Sequence, residues 1–140
     1  GRRVLRIDAL LMITVTAIVY QVLLAPTTEV IGWSNLTDPI LHVITPLVTV
    51  VVWVIWGPRG WVTGKMIPAA LVVPVLWIVW MLIRGAISDV YPYGFVNITE
   101  YGVAAVSKTL AMILVFGLIV ATIYWGIDVW LRRRARASAH

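Results

Sequence analysis

The chain has 140 residues, 61% hydrophobic and 12% charged, with no cysteine and a formal net charge of +5; its mean hydropathy is +0.97. A soluble domain of this length cannot bury that much apolar surface, so lipid must solvate most of it, and disulfide and thiolate chemistry are excluded. The positive charge is gathered in clusters along the sequence, which argues against a nucleic-acid partner and for a membrane-topology signal.

The opening Gly1-Arg2-Arg3, without an initiator methionine, is the pattern expected of a processed or cut chain. Arg2, Arg3 and Arg6 precede an apolar run with no small-x-small cleavage site, so the run reads as a retained span rather than a signal peptide. The first span is expected at about 7–25, stopping at Pro26. The second, about 39–56, has Asp38 placed to cap its free amides, Pro39 at its first helical position, and Gly57-Pro58-Arg59-Gly60 to end it. The third, about 66–84, tolerates Pro68 in its opening turn, but Pro74 is interior and predicts a kink. The fourth, about 103–131, exceeds the roughly 20 residues needed to cross and must tilt or protrude. The fold expected is an all-α polytopic transmembrane bundle, a single domain over 1–140 with four spans.

Basic clusters at 2–6, 59–65 and 132–136 alternate with loops holding Glu29, Asp38, Asp89 and Glu100. The positive-inside rule then puts both chain ends in the cytoplasm of an integral membrane protein, the plasma membrane being the expected site. Loops 26–38 and 85–102 lie outside and loop 57–65 inside. Trp53, Trp56, Trp61, Trp125 and Trp130 mark the inner interface; Trp33, Tyr91, Tyr93 and Tyr101 mark the outer one. The segment from Ser88 to Phe95 carries three aromatic rings separated by proline and glycine, as suits a compact plug or a surface anchor. Asn35 and Asn97 begin Asn-x-Thr triplets that read as turn organisers. Gly117-x-x-x-Ala121 permits close helix approach.

His42 lies four residues from Asp38, about 6 Å inside the span end on an ideal helix. An ionisable ring at that depth is a candidate site. Tyr20, Gln21, Arg84, Asp89, Tyr91, Tyr93 and Lys108 reach the same stratum from the other spans. His42 is the candidate general base, with Tyr20 or Asp89 to fix its tautomer and Arg84 or Lys108 to hold a carboxylate or lipid phosphate. The bland alternative is a hydrogen-bonded packing histidine. His42, Thr45, Thr49 and Trp56 share a helical face expected to turn into the bundle, while Thr16 and Thr45 are expected to bond back to their own helices. Asp8 and Asp128 stand near basic neighbours and are expected to pair with them or to snorkel. No metal cluster or Gly-x-Ser-x-Gly elbow occurs and His140 is terminal, so zinc and serine-elbow chemistry are set aside and no cofactor is expected.

Leu41-His42-x-x-x-Pro46, the turn Gly57-Pro58-Arg59-Gly60, and Leu82-Ile83-Arg84-Gly85 followed by Tyr91-Pro92-Tyr93 and Phe95 resemble the androgen-induced membrane protein family, notably its bacterial six-span relatives. The resemblance covers nearly the whole chain. It implies spans three to six of a six-helix protein, two spans preceding Gly1, and a fold shared with intramembrane hydrolases of fatty-acid esters of hydroxy fatty acids. Those enzymes use a threonine and a histidine: His42 matches the histidine, while the threonine belongs to an early span not in this chain. The spacing from histidine to proline is shorter than in animal members. The function implied is lipid-ester hydrolysis with His42 as base and a nucleophile from the absent spans. The alternative is a non-catalytic subunit that binds membrane lipids, a partner membrane protein or a second copy of itself; transport has only the Pro74 kink in its favour.

Overall fold

Prolines set where the helices of this chain change course. The computed structural model describes residues 2–27, 29 and 31–137, so Gly1 and His140 lie outside the described residues. Helix α1 (Arg2–Val19) widens into a π-helical turn at Tyr20–Leu24 and closes in a 3-10 turn at Ala25–Thr27. Helix α2 (Ser34–Pro39) runs into a second π turn at Ile40–Ile44 and on into α3 (Thr45–Trp56). Each π turn ends two residues before a proline, Pro26 in one case and Pro46 in the other. Proline has no N–H to donate, and its ring crowds the carbonyl four residues back; a widened turn at that carbonyl relieves the clash.

The same chemistry breaks the third span. Helix α4 (Met66–Ala69) and helix α5 (Val72–Ser88) are separated at Ala70–Leu71. Ala70 stands four residues before Pro74, so the expected kink is an actual break one turn upstream of the proline. Helix α6 (Ile98–Ala137) follows the loop, with one non-helical residue, Gly102, at φ 77° and ψ 159°. Only a residue without a β-carbon takes that conformation readily.

Four apolar helices, Leu5–Leu24, Ser34–Trp56, Met66–Ser88 and Ile98–Ala137, are long enough to cross a membrane. The chain is an integral membrane protein with an all-helical fold. The bounds of the last three spans differ from those expected. The second span starts at Ser34, after a turn in which Gly32 takes φ 65°, and contains Pro39; Asp38 therefore does not cap it. The third span continues past Arg84 to Ser88, where Asp89 takes a left-handed conformation at φ 54°. The fourth begins at Ile98 and extends to Ala137; beyond the kink at Gly102 its uninterrupted helix runs about 50 Å, well over the apolar thickness of a bilayer.

Two packed clusters hold the helices together. At the end where both termini emerge, Leu10, Leu11, Ala70, Val120, Ala121 and Tyr124 interlock. Toward the opposite end, Met81, Val96, Val106 and Leu110 do so. In lipid such contacts stabilise through close packing rather than water exclusion, which favours small residues at crossings. Gly117 fits this rule: a β-carbon there would lie 3.4 Å from Leu71.

At the terminal end, Asp128 is fully buried and accepts the backbone N–H of Gly60 (3.0 Å) and Val62 (3.2 Å). It thus anchors the connection between α3 and α4 to α6, instead of pairing with an arginine as expected. Arg59 donates to the carbonyls of Val54 and of Trp53 (3.0 Å), the latter also accepting the Gly57 N–H (2.9 Å), and so binds the last turn of α3. Asp8 is buried too, and its Oδ1 has no hydrogen-bond partner among the described residues.

Candidate functional site

Three side chains from two helices meet at the end of the bundle opposite the termini. Tyr20 opens the first π turn, His42 sits in the middle of the second, and Asp38 is one turn before His42. The phenol and imidazole rings are stacked, 3.6 Å between centroids and 7° from parallel. The Tyr20 hydroxyl donates to Asp38 Oδ1. His42 Nδ1 lies 3.0 Å from the same oxygen and 3.2 Å from the Asp38 carbonyl. Both neighbours of Nδ1 are acceptors, so Nδ1 carries the proton and the neutral ring keeps its lone pair on Nε2. A carboxylate holding one imidazole nitrogen and leaving the other free is the arrangement of an oriented general base.

His42 and Tyr20 border a cavity of about 460 Å³ between the helices. Met12, Val15 and Val19 of α1, Ile78 and Met81 of α5, and Leu110 of α6 make most of it apolar. Trp77, Tyr93 and Phe95 supply aromatic surface. Tyr93 stacks on Phe95 (5.6 Å, 4°) and tilts against Trp77 (5.8 Å). The loop after α5 therefore folds onto the cavity, and Tyr93 is part of its wall rather than an interface anchor. Asn97 shapes the return into α6, its Oδ1 accepting the N–H of Thr99 (3.1 Å) and Glu100 (3.3 Å). The Asn97 triplet thus organises a turn. Asn35, by contrast, lies inside α2.

The other expected site residues stand elsewhere. Tyr91 packs in the neighbouring apolar cluster, against Gly85, and does not line the cavity. The Arg84 guanidinium lies over the Trp80 ring, 5.7 Å from its centroid, beside a shallow groove separate from the cavity. Asp89, Lys108 and Gln21 are exposed and outside the cavity wall. Asp38, not Asp89, fixes the histidine tautomer. Its spacing of four from His42 was the available signal, but the Asp-Pro pair reads first as a helix start.

Thr45 does not turn into the bundle: it is exposed, and its hydroxyl bonds back to the Ile40 carbonyl of its own helix (2.7 Å), as expected. Thr49, half-buried, bonds to the Thr45 carbonyl (2.7 Å). A satisfied hydroxyl can face lipid without an unpaired polar group. Trp56 on the same face is 74% exposed. Thr16 behaves differently: it is exposed and borders the cavity. Among the described residues no group of three or more metal-ligating side chains occurs.

Comparison of the chain with protein-family models, curated proteins and solved structures gives no match.

Proposed function

We propose that this chain carries the base of an intramembrane lipid-ester hydrolase, as its resemblance to the androgen-induced membrane protein family implies. One observation carries the reading: an imidazole held at Nδ1 by a carboxylate, with Nε2 unpaired among the described residues, at the border of an apolar cavity. The acyl chain lies along Met12, Val15 and Met81, and its ester sits beside His42. His42 Nε2 takes the proton from an attacking hydroxyl as its oxygen bonds to the ester carbonyl carbon. The resulting imidazolium returns the proton to the departing alcohol as the ester C–O bond breaks. The Asp38 carboxylate stabilises the imidazolium between these steps. Within this chain, Thr16 is the candidate hydroxyl, because it borders the same cavity; the acyl group it would take up is released when water, deprotonated by His42 Nε2, attacks the new ester and the threonine hydroxyl is restored. Water itself or a hydroxyl from other spans is the alternative.

The basic end is assigned to the cytoplasm and the His42 end to the outer leaflet of the plasma membrane, on the distribution of Arg2, Arg3, Arg6, Arg59, Lys65 and Arg132–Arg136. The test is turnover of single-chain fatty-acid esters by purified protein in mild detergent, beside His42→Ala. Ester cleavage lost in the variant supports the reading. Equal rates, or no cleavage by a folded parent, would end it.

A second reading, a non-catalytic subunit, is favoured by the exposure of the second span. Only 6% of its most apolar stretch is buried within the chain, leaving a long face for lipid, a partner membrane protein or a second copy. A monodisperse monomer by native mass measurement would count against the protein partners.

A further inference from the structure

The charge distribution around the cavity limits what can sit in it. At this end of the bundle the described cations are Arg84 and Lys108, and neither borders the cavity. Arg84 is occupied with Trp80, and Lys108 is exposed on α6. The charged group nearest the cavity border is instead the Asp38 carboxylate, bonded to both Tyr20 and His42. Trp77, Tyr93 and Phe95 line it with aromatic rings that carry no charge. An anionic head group seated here would face a carboxylate in a medium of low dielectric, with no lysine or arginine in reach and with His42 neutral at mildly alkaline pH. The volume, about 460 Å³, lies low in the range of small-molecule sites and suits one acyl chain rather than two.

We infer that the cavity takes an uncharged ester of a single fatty chain, of the monoacylglycerol type, and rejects free fatty acids and lipid phosphates. The inference rests on the reading of the cavity as the seat of a lipid ester, and it names the class of ester; it sets this cavity apart from one for esters of hydroxy fatty acids, whose free carboxylate it would exclude. Arg84 and Lys108 then have no part in holding the substrate.

The test is binding, read without turnover. Full-length chain in zwitterionic nanodiscs is titrated at mildly alkaline pH with dibrominated stearoyl glycerol and, separately, with dibrominated stearic acid. Bromine quenches nearby indoles, and the part of the quenching lost in Trp77→Phe reports cavity occupancy; lipid-facing tryptophans report the surrounding bilayer equally for both probes. The glycerol ester is expected to half-quench at a mole fraction about tenfold lower than the acid. Equal occupancy, or preference for the acid, overturns the inference. Asp38→Asn is expected to strengthen acid binding several-fold while leaving ester binding near its original value; acid binding unchanged in a folded variant also overturns it. If Trp77→Phe does not fold, the difference in total quenching between the two probes on the unaltered chain decides the same question. An ester that binds preferentially but is never cleaved would retire the hydrolase reading and leave this one standing.

Discussion

The ring of Tyr91 lies across Gly85, and ring carbons already fill the space that a β-carbon at position 85 would need. This contact ties the end of α5 to the loop that folds Tyr93 and Phe95 onto the cavity. Gly85→Ala is therefore expected to displace the loop and to destabilise the protein by about 1–3 kcal/mol through overpacking. Tyr91→Ala should cost less in the Gly85→Ala background than alone, because the clash is gone. A double-mutant cycle in a denaturing-detergent titration measures the coupling; strictly additive effects would refute it.

Within the proposed hydrolase, His42→Ala is expected to lower kcat about 100-fold or more, the usual scale for a general base. Asp38→Asn should cost less, since the ring stack with Tyr20 still positions the imidazole. Tyr20→Phe keeps that stack and removes only the hydroxyl, so its effect should fall below that of Tyr20→Leu. Rates for the four variants give the order; Tyr20→Phe as damaging as Tyr20→Leu would mean that the hydroxyl, not the stack, is what matters.

Arg84→Ala and Lys108→Ala are expected to leave turnover within about twofold, as for surface changes remote from a site. Arg84 does cover Trp80, so the variant's fold should be verified alongside. A large rise in KM in either variant would return these cations to the substrate.

Asp128→Ala removes the acceptor for two backbone N–H groups in a dry environment. The expected loss of stability is about 2–4 kcal/mol, seen as a lower midpoint of unfolding. Asp128→Asn retains an acceptor oxygen and should recover part of it. Since Asp128 lies at the end away from His42, ester binding by the surviving folded fraction should be unaltered.

Depth was legible in the sequence; azimuth was not. Hydropathy and the charge alternation located four spans, and Tyr20, His42 and Tyr93, picked out by depth, do border one cavity. Arg84 and Lys108 share that depth but face elsewhere, because the rotation of a helix is reset wherever its hydrogen bonding departs from the α pattern. The break at Ala70–Leu71 and the two π turns are such points, and 3.6-residue counting across them fails. Thr45 and Thr49 show it directly: counted on an ideal helix from His42 they point inward, yet a π turn lies between, and Thr45 is exposed. Asp38 was hidden for a different reason. Its type and position before Pro39 are those of a helix cap, and only the helix start at Ser34 frees its carboxylate for Tyr20 and His42.

A π turn holds one residue more than the α-helical turn it replaces, so each of these two is equivalent to a single-codon insertion. Deleting one residue inside Ile40–Ile44 would let the second span close as a regular helix, with little change in its length or hydropathy. The helix on either side would keep nearly its present rotation, because the wide turn takes up its extra residue within one rotation; the loss would fall on the turn itself, where His42 sits. Such a protein would still insert and pass every test of composition, while loss of Ile40 or Leu41 would cut the Asp38–His42 spacing from four residues to three and undo their present contacts with Tyr20. Alignment gaps of one residue in this span are thus the places to look for copies of the fold that have lost the site.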